Sequence, residues 1–447
     1  MDQKTSTLAG EVLLGIDLGT SRIKAVLLAA DGYQQALDPV ATPWDTTGGR
    51  VEAPVEAFRN CLEKLLQQVE HPHRVAGIGI AGMAESGAAF SDRLRPLTPV
   101  ISWHDPRGEG GAGSLRARFP GIDEEVGQRL RNVSSAAKLA QLSAEGLTGV
   151  GCWLGVPEIF LWLLTGETAT EHSLISRTGW YGTARMDYLP AVAEAAGLPP
   201  GGLLPVNRAG EVMGQTRFPG LKPGIPVTIA GHDHAAAARA VGVKTGELGN
   251  SVGTAESVVG IQPDLPDLSK ALKHSVAVSV APRADAFCLM AGAARPGIVL
   301  SRLSRMLNRP MAELDALAEG SSFESDHLSV EEYVRALQEG KPVSLPDEPG
   351  IAWRMALRGL CQRTFEAVQR MGAVSGPAHR ISVFGGGSGI GVWLDEKTNA
   401  FSVPLVSVPG PDVVAAAAAA YAGIAAGWWP DPAGRSQFLD ARERASR

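Results

Sequence analysis

Two turns of similar composition, one in each half of the chain, constrain the fold more than any other feature. The first is a Gly-Thr-Ser turn at residues 19–21, between two apolar runs within residues 11–29. The second is a Gly-Thr turn at residues 253–254, within the strand-like residues 246–257. Apolar runs on either side of a short Gly-containing turn predict a β-hairpin. One hairpin in each half of the chain predicts a duplicated architecture.

The first hairpin carries groups that suit phosphate binding. Asp17 ends its first apolar run, next to Gly19, Thr20 and Ser21, and Lys24 follows on the second run. Backbone N–H groups of such a turn can cradle phosphate oxygens, while a nearby carboxylate holds Mg²⁺ directly or through water. A purely structural hairpin, whose Asp is satisfied by internal hydrogen bonds, explains the same residues. The local sequence leaves both interpretations open.

Length and composition set the fold class. A chain of 447 residues is too long for one compact core, and we expect two large lobes. Its 45% hydrophobic and 20% charged residues are ordinary for a globular protein, whereas 53 Gly and 30 Pro make it rich in turns. This balance favours a mixed α/β fold.

Charge and cysteine usage bear on partners and location. The net charge of −6 is spread along the chain, so we expect neither a nucleic-acid partner nor an anionic membrane. The four cysteines are far apart and show no C-x-x-C spacing, which predicts reduced thiols in a cytoplasmic protein. The apolar residues 413–429 are mostly alanine and too short to span a bilayer, so we expect a buried helix there.

A single carboxylate stands at the centre of the chain. Asp233 follows the apolar residues 225–230 and precedes a run of alanines, as expected for a base at the mouth of a cleft. His232 and His234 flank it, and two histidines at this spacing can bind a metal. No further ligand cluster lies nearby in the sequence, which argues against a metal centre.

Two other stretches suggest contacts with hydroxyl groups. Glu85 ends a strand-like run and can bind sugar hydroxyls, although a solvated loop explains it equally well. Trp103, Asp105 and Arg107 alternate, so they can project to one face and offer a ring surface, a carboxylate and a guanidinium to a sugar. The alternative is an ion pair between Asp105 and Arg107.

Glycines mark two further places. Residues 77–82 match a dinucleotide-binding pattern by letters only, because the glycines lie inside an apolar strand and no amphipathic helix follows. Gly385, Gly386 and Gly387 follow the strand-like residues 380–384, and they allow the backbone to approach a base or a phosphate closely.

Apolar periodicity predicts helices at residues 54–69, 157–166, 235–241, 297–307, 330–339 and 351–371.

In this order, the features resemble the FGGY family of carbohydrate kinases, within the actin-like ATPase superfamily. The resemblance runs from about residue 12 to residue 429. It is carried by residues 15–24, 103–107, 164–166, 176–178, 231–233, 253–254 and 385–388. It implies two ribonuclease-H-like lobes around a central cleft, with residues 1–236 and 237–447 as the lobes. It also implies ATP and Mg²⁺ in that cleft, and phosphorylation of one hydroxyl on a small sugar.

The resemblance also implies roles for individual residues. Asp233 matches the catalytic base and Asp17 the metal-associated carboxylate. The phosphate-contacting residues are Gly19, Thr20, Ser21, Lys24, Gly253 and Thr254, and the adenosine side is formed by Gly386 and Gly387. Residues matching the substrate side are Glu85, Trp103, Asp105, Arg107, His232 and Asp233.

Substrate clues disagree, and three positions depart from the family pattern. The motif at residues 231–233 resembles that of deoxyketose kinases, whereas the motif at residues 84–86 resembles that of glycerol kinases. We therefore expect a ketose or polyol as the first candidate substrate and a gluconate-type sugar acid as the second. Ala255, Asn399 and the alanines at 415–420 are the departures. They leave room for a catalytically impaired sugar sensor, while a protein-directed ATPase is a more distant alternative. A homodimer is the default oligomer.

Overall fold

The computed structural model describes residues 10–323, 327–408, 410 and 412–429. The strands of the first half are β1 (Val12–Leu18), β2 (Arg22–Ala29), β3 (Gln34–Ala36), β4 (Val40–Ala41), β5 (Glu52–Ala53), β6 (Val75–Gly82), β7 (Gly87–Phe90), β8 (Val100–Ile101), β9 (Cys152–Gly155), β10 (Thr170–Glu171), β11 (Tyr181–Gly182), β12 (Asp187–Tyr188), β13 (Val206–Asn207), β14 (Gly214–Gln215) and β15 (Pro226–His232). Its helices are α1 (Val55–Leu66), α2 (Glu109–Arg118), α3 (Ile122–Glu125), α4 (Ser135–Ala144), α5 (Val156–Thr165), α6 (His172–Ile175), α7 (Pro190–Ala195) and α8 (Asp233–Ala240).

The second half continues the same alternation of strands and helices. Its strands are β16 (Glu247–Val252), β17 (Glu256–Gln262), β18 (Ala277–Val280), β19 (Phe287–Ala294), β20 (Arg380–Phe384) and β21 (Leu405–Ser407). Its helices are α9 (Leu268–Lys273), α10 (Pro296–Leu307), α11 (Met311–Glu319), α12 (His327–Glu339), α13 (Pro349–Ser375), α14 (Gly391–Ala400) and α15 (Val413–Ala425).

The two halves build two sheets with the same central unit. The first sheet has the order β14-β15-β6-β1-β2-β3, with β1 antiparallel to β2 and parallel to β6. The second has the order β18-β19-β17-β16-β20-β21, with β16 antiparallel to β17 and parallel to β20. In each sheet a Gly-Thr turn joins the antiparallel pair. The predicted hairpins and the duplicated architecture are therefore confirmed.

The helices α8 and α15 lie between the sheets. Helix α15 packs on β1, β6 and β15, and it also contacts α8, which reaches β17 of the second sheet. Its close approach depends on glycines in the strands, since a Cβ on Gly15 or Gly79 would lie 1.9 Å from the carbonyl oxygen of Ala415 or Ala418. The alanines of α15 at these contacts are fully buried, as the prediction of a buried helix required.

One helix spans the predicted boundary between the lobes, and another helix packs on a sheet that is distant from it in sequence. The predicted boundary at residue 236 falls inside α8, and α15 (Val413–Ala425) packs on the sheet of the first half. Each predicted helix from 54–69 to 351–371 is confirmed, whereas α2, α4, α11 and α14 were not predicted. The four cysteines are buried and form no disulfide. Among the described residues, no helix is long and apolar enough to cross a membrane.

Candidate active site

A cleft of about 1180 Å³ lies between the lobes. Both hairpin turns, the end of β15 and the glycine loop after β20 contribute to its walls. Residues predicted from the sequence to form the site and found together here include Asp17, Thr20, Glu85, Trp103, Asp233 and Thr254. Residues that are more than 200 positions apart thus share one cavity.

The two Gly-Thr turns meet across the cleft. Ser21 Oγ lies 3.0 Å from Thr254 Oγ1. Aromatic side chains hold the first turn, because Trp44 Nε1 donates to the Thr20 carbonyl at 2.8 Å and Trp103 Nε1 donates to Thr20 Oγ1 at 3.0 Å. These hydrogen bonds fix the turn where it lines the cavity. Trp44 was not predicted, since nothing in its local sequence marks this contact.

Buried carboxylates surround the end of β1. Lys24 Nζ donates to Asp412 Oδ2 at 2.7 Å and lies 3.8 Å from Asp17 Oδ2. Burial, followed by the neighbouring Asp412, raises the pKa of Asp17 well above its ordinary value. Asp17 Oδ1 is buried and has no hydrogen-bond partner in the structure. The alternative of a structural Asp satisfied by internal hydrogen bonds therefore does not account for this oxygen.

The same residues fit a magnesium ion held with a nucleotide. Mg²⁺ prefers oxygen ligands and is usually held by one or two carboxylates, with water and phosphate oxygens completing its shell. Asp17 and Asp412 offer two carboxylates at one place. No group of three or more His, Cys, Asp or Glu residues that could hold a metal occurs in the described ranges, the histidines beside Asp233 included. The donor set thus suits a phosphate-bound ion better than a protein-enclosed one.

Asp412 was missed as a functional residue, although the sequence contained a signal for it. Its Oδ1 accepts a hydrogen bond from the N–H of Ala415 at 2.8 Å and thereby caps α15. An Asp directly before an apolar helical run, here two valines and then alanines, is typical of a helix N-cap. The other oxygen, Oδ2, is the partner of Lys24. One side chain consequently links α15 to Lys24 on the second strand of the first hairpin.

Asp233 begins α8 at the cleft. Its Oδ1 lies 3.2 Å from His232 Nε2 and accepts a hydrogen bond from the N–H of His234 at 2.7 Å. Burial lowers the pKa of His232 to about 3, so this imidazole is neutral. Burial alone would raise the pKa of Asp233, but His234 and its backbone N–H outweigh that effect and lower the pKa. Asp233 is therefore an ionised carboxylate at neutral pH.

A buried chain of hydrogen bonds supports the turn before Asp233. The N–H of His232 donates to Ser173 Oγ at 2.9 Å, and Ser173 Oγ donates to Glu171 Oε2 at 2.5 Å. Gly231 has φ +110°, and a Cβ there would lie 2.5 Å from Ser173 Oγ. Burial raises the pKa of Glu171 to about 8. Glu171 was assigned no role from the sequence.

Glu85 is paired and partly strained. Arg177 Nε and Nη2 donate to Glu85 Oε1 at 2.9 and 2.6 Å, and the Glu85 side chain is 8% exposed. This low exposure excludes the solvated-loop interpretation. Its φ of +61° is a conformation that L-residues seldom adopt and that clusters at functional sites. Arg177, which the sequence gave no role, thus fixes a carboxylate on the cleft wall.

Trp103 lines the cleft, but Asp105 and Arg107 do not. Asp105 is fully buried and accepts hydrogen bonds from Arg107 Nε at 2.7 Å and from the N–H of Val51 at 2.6 Å. Arg107 also forms an ion pair with Glu52 at 2.6 Å. The ion pair left open as the alternative is the observed arrangement. This corrects the expectation that all three side chains share a sugar-facing surface: β8 ends at Ile101, so strand alternation does not extend to these residues.

The glycine loop divides into two parts. Gly386 lines the cleft, as does Gly253 in the opposite turn. Gly387 is packed instead, because a Cβ there would lie 2.3 Å from Val252 Cγ1 and 2.9 Å from the Trp393 ring. In this structure Gly387 allows close packing behind the loop, while Gly385, Gly386, Ser388 and Gly389 border the cavity.

Comparison with known proteins agrees with this geometry. Residues 12–240, about half of the chain, match the model for the N-terminal domain of the FGGY family of carbohydrate kinases. The chain belongs to this family. L-fuculokinase of Escherichia coli O157:H7 is 24% identical over 466 residues, which cover 94% of this chain and 92% of that protein. Gluconokinase of Bacillus subtilis is 26% identical over 264 residues, which cover 55% and 51%.

A solved structure of the same family shows how far the fold extends. The crystal structure of Plasmodium falciparum glycerol kinase with ADP aligns with a TM-score of 0.81, covering 96% of this chain and 92% of that one at 15% identity. The predicted α/β architecture of two ribonuclease-H-like lobes, characteristic of actin-like ATPases, is thereby confirmed.

The departures from the FGGY pattern lie mostly away from the cleft. Asn399 is exposed on α14 and does not line the cavity. The alanines at 415–420 meet the glycines of β1 and β6, where a larger side chain has no room. Ala255 does border the cavity, and its carbonyl accepts a hydrogen bond from the N–H of Gly253 at 3.1 Å, which closes the second turn. Ala255 stands where the family pattern often has Ser, so the second turn lacks that hydroxyl, whereas Ser21 and Thr254 keep theirs where the turns meet.

Proposed function

We propose that this protein transfers the γ-phosphoryl group of ATP to one hydroxyl of a small sugar, with Asp233 as general base. The observation that carries the proposal is the position of Asp233, an ionised carboxylate in the same cleft as both Gly-Thr turns. Phosphoryl transfer depends mainly on positioning and charge stabilisation. A single base facing a phosphate-binding wall is the arrangement that this reaction needs.

Each wall has its own task in this proposal. The backbone of the turns at Gly19, Thr20 and Gly253 would contact the phosphates, and Gly386 would border the adenosine. Asp17, with its unpartnered Oδ1, and Asp412 would hold Mg²⁺ directly or through water. Bound Mg²⁺ neutralises negative charge on the β- and γ-phosphates.

The acceptor would lie on the first-lobe side of the cleft. Glu85, fixed by Arg177, would accept hydrogen bonds from hydroxyl groups, and the Trp103 ring would cover an apolar sugar face. Asp233 Oδ2 would take the proton of the attacking hydroxyl. A ketose, a polyol and a sugar acid all present such hydroxyls, and the relatives named above include a kinase of a neutral sugar and one of a sugar acid.

The test is an ADP-release screen of the purified protein with Mg-ATP against ketoses, polyols and aldonic acids. We expect one strong acceptor, with the phosphorylated product identified by mass spectrometry. ATP that binds in calorimetry but is never transferred to any acceptor would replace the kinase proposal with that of a sugar sensor of the same fold. ATPase activity stimulated by peptides and not by sugars would favour a protein-directed ATPase.

A further inference from the structure

The acceptor side of the cleft contains more positive charge than its own carboxylates require. Arg129, Arg131 and Arg295 line the cavity, are exposed, and have no carboxylate partner among the residues that the structure describes. The other lining carboxylates are already paired: Asp17 and Asp412 with Lys24, Glu85 with Arg177, and Glu256 with Lys397. Of the cleft-lining carboxylates, Asp233, the proposed base, is the one without a Lys or Arg partner in the described part of the chain.

The loop that carries Arg129 and Arg131 is anchored to the acceptor side at its first end. The buried Gln128 side chain donates to the carbonyls of Ser176 and Arg177 at 3.4 and 3.3 Å. Arg177 is the residue that holds Glu85. The loop is thereby placed beside the carboxylate proposed to bind hydroxyl groups.

A buried lysine anchors the other end of the loop. Lys138 Nζ donates to the carbonyl of Val133 at 2.6 Å and to that of Trp103 at 3.4 Å, and Lys138 is fully buried. Asp123, which is close in sequence, accepts a hydrogen bond from the N–H of Leu130 at 2.9 Å and holds the loop from within. The arginines thus lie on a fixed segment between Arg177 and Trp103.

The third arginine comes from the opposite lobe. Arg295 lies directly before α10, and its guanidinium is 5.5 Å from the centre of the Trp103 ring. Trp103 in turn donates to Thr20 of the phosphate-side turn. Arginines from both lobes therefore line the cleft, and the segments that carry them are tied to Trp103 through Arg295 and Lys138.

We infer that the acceptor is a sugar acid, whose carboxylate is bound by Arg129, Arg131 and Arg295 while a distant hydroxyl faces Asp233. A planar guanidinium matches a carboxylate with two parallel hydrogen bonds, and this geometry distinguishes the acid from the polyol of the same carbon chain. The inference rests on the proposed kinase function and specifies its substrate class. A neutral ketose has no carboxylate for these guanidinium groups to bind.

The test compares all stereoisomers of the five- and six-carbon aldonates with the matching polyols, such as D-gluconate with D-glucitol. We expect the best aldonate to exceed its polyol in kcat/KM by about a hundredfold, and to bind more tightly in calorimetry without nucleotide. Sugar phosphates are included in the panel. A polyol, ketose or sugar phosphate that outranks every aldonate overturns the inference and leaves the kinase proposal standing.

Variants show which residues bind the acid. R129Q, R131Q and R295Q should each raise KM for the aldonate about tenfold while changing KM for Mg-ATP less than twofold. Arg116→Gln, an exposed arginine of α2 outside the cleft, is the matched control and should change neither. A rise confined to KM for Mg-ATP would assign the arginines to the nucleotide phosphates and overturn the inference. Absence of turnover with every acceptor counts against the kinase proposal, and calorimetry with the aldonates still decides whether the acid site exists.

Discussion

The hydroxyl oxygens of Ser21 and Thr254 lie 3.0 Å apart, although 233 positions separate the two residues in the chain. Each belongs to the turn of a hairpin at the centre of its own sheet. The contact therefore brings the equivalent parts of two duplicated halves to the same point. The phosphates of a nucleotide would be bound from both sides there.

Removing either hydroxyl should weaken nucleotide use more than sugar use. We expect Ser21→Ala and Thr254→Val each to raise KM for Mg-ATP about tenfold, because each loses one hydrogen-bonding group to a charged phosphate. Initial rates at varied ATP and at varied acceptor measure both constants. Thr398→Val, an exposed threonine of α14 outside the cleft, is the control. Equal effects on both KM values would contradict the assignment of the turns to phosphate.

Asp233→Asn should separate catalysis from binding. Loss of the base lowers kcat by about 10²- to 10⁴-fold, because the amide cannot take the hydroxyl proton. ATP affinity, measured by calorimetry, should change little. Asp285→Asn serves as the matched control, since Asp285 is half exposed and lies outside the cleft. Turnover at the wild-type rate in Asp233→Asn would remove this residue from the mechanism.

Asp17→Asn should lose activity without losing stability. Burial and Asp412 raise the pKa of Asp17, so the folded state binds more protons than the unfolded state and stability falls as pH rises above the ordinary value of 3.8. The amide of the Asp17→Asn side chain does not ionise, so the variant does not lose stability in this way as pH rises. At pH 7 without nucleotide we expect the variant to unfold at the same or a higher temperature, while kcat falls about 100-fold through weaker Mg²⁺ retention. A clear drop in melting temperature would argue for a structural Asp17.

Glu171 makes the stability of the fold depend on pH. Its pKa is about 8 in the folded protein, compared with an ordinary value of 4.5, because it is buried. Between these two pKa values the folded state retains the proton that the unfolded state has lost. The free energy of unfolding therefore declines as pH rises from 4.5 to 8, by at most about 5 kcal/mol in total, and is level above pH 8. Glu171→Gln should flatten this slope in urea unfolding measured from pH 5 to pH 8. An unchanged slope would mean that another group is responsible.

Gly79→Ala should prevent α15 from seating on the first sheet. The added Cβ would lie 1.9 Å from the carbonyl oxygen of Ala418, which is backbone and cannot rotate away. We expect a loss of about 3 kcal/mol or more in the free energy of unfolding. Gly113→Ala is the control within α2, where no atom lies within 4 Å of the added Cβ, and it should gain about 0.5–1 kcal/mol. Similar losses in both variants would refute the packing argument.

The parts of the site that the sequence predicted are those encoded locally. A Gly-Thr turn between apolar runs determines its own hairpin, and the strand before Asp233 determines where that carboxylate emerges. The partners of these groups come from distant elements: Asp412 reaches Lys24 across 388 positions, and Arg177 reaches Glu85 across 92. No local pattern encodes such contacts.

The interpretation of Asp105 and Arg107 shows that a local pattern can also mislead. Their alternate spacing would place them on one face of a strand, but β8 ends four residues before Asp105. In the loop that follows, Arg107 turns back to Asp105 and Glu52. A period of two predicts a shared face only where the backbone is extended.

The return of α15 to the first lobe also affects how this protein is made. The face of β1 and β6 that α15 covers belongs to residues 12–82, whereas the helix ends at Ala425. A ribosome must therefore translate as far as residue 425 before the first lobe can close its core. Until then the nascent chain exposes that apolar face, and a premature stop codon just before α15 would leave both sheets translated and the first one uncovered.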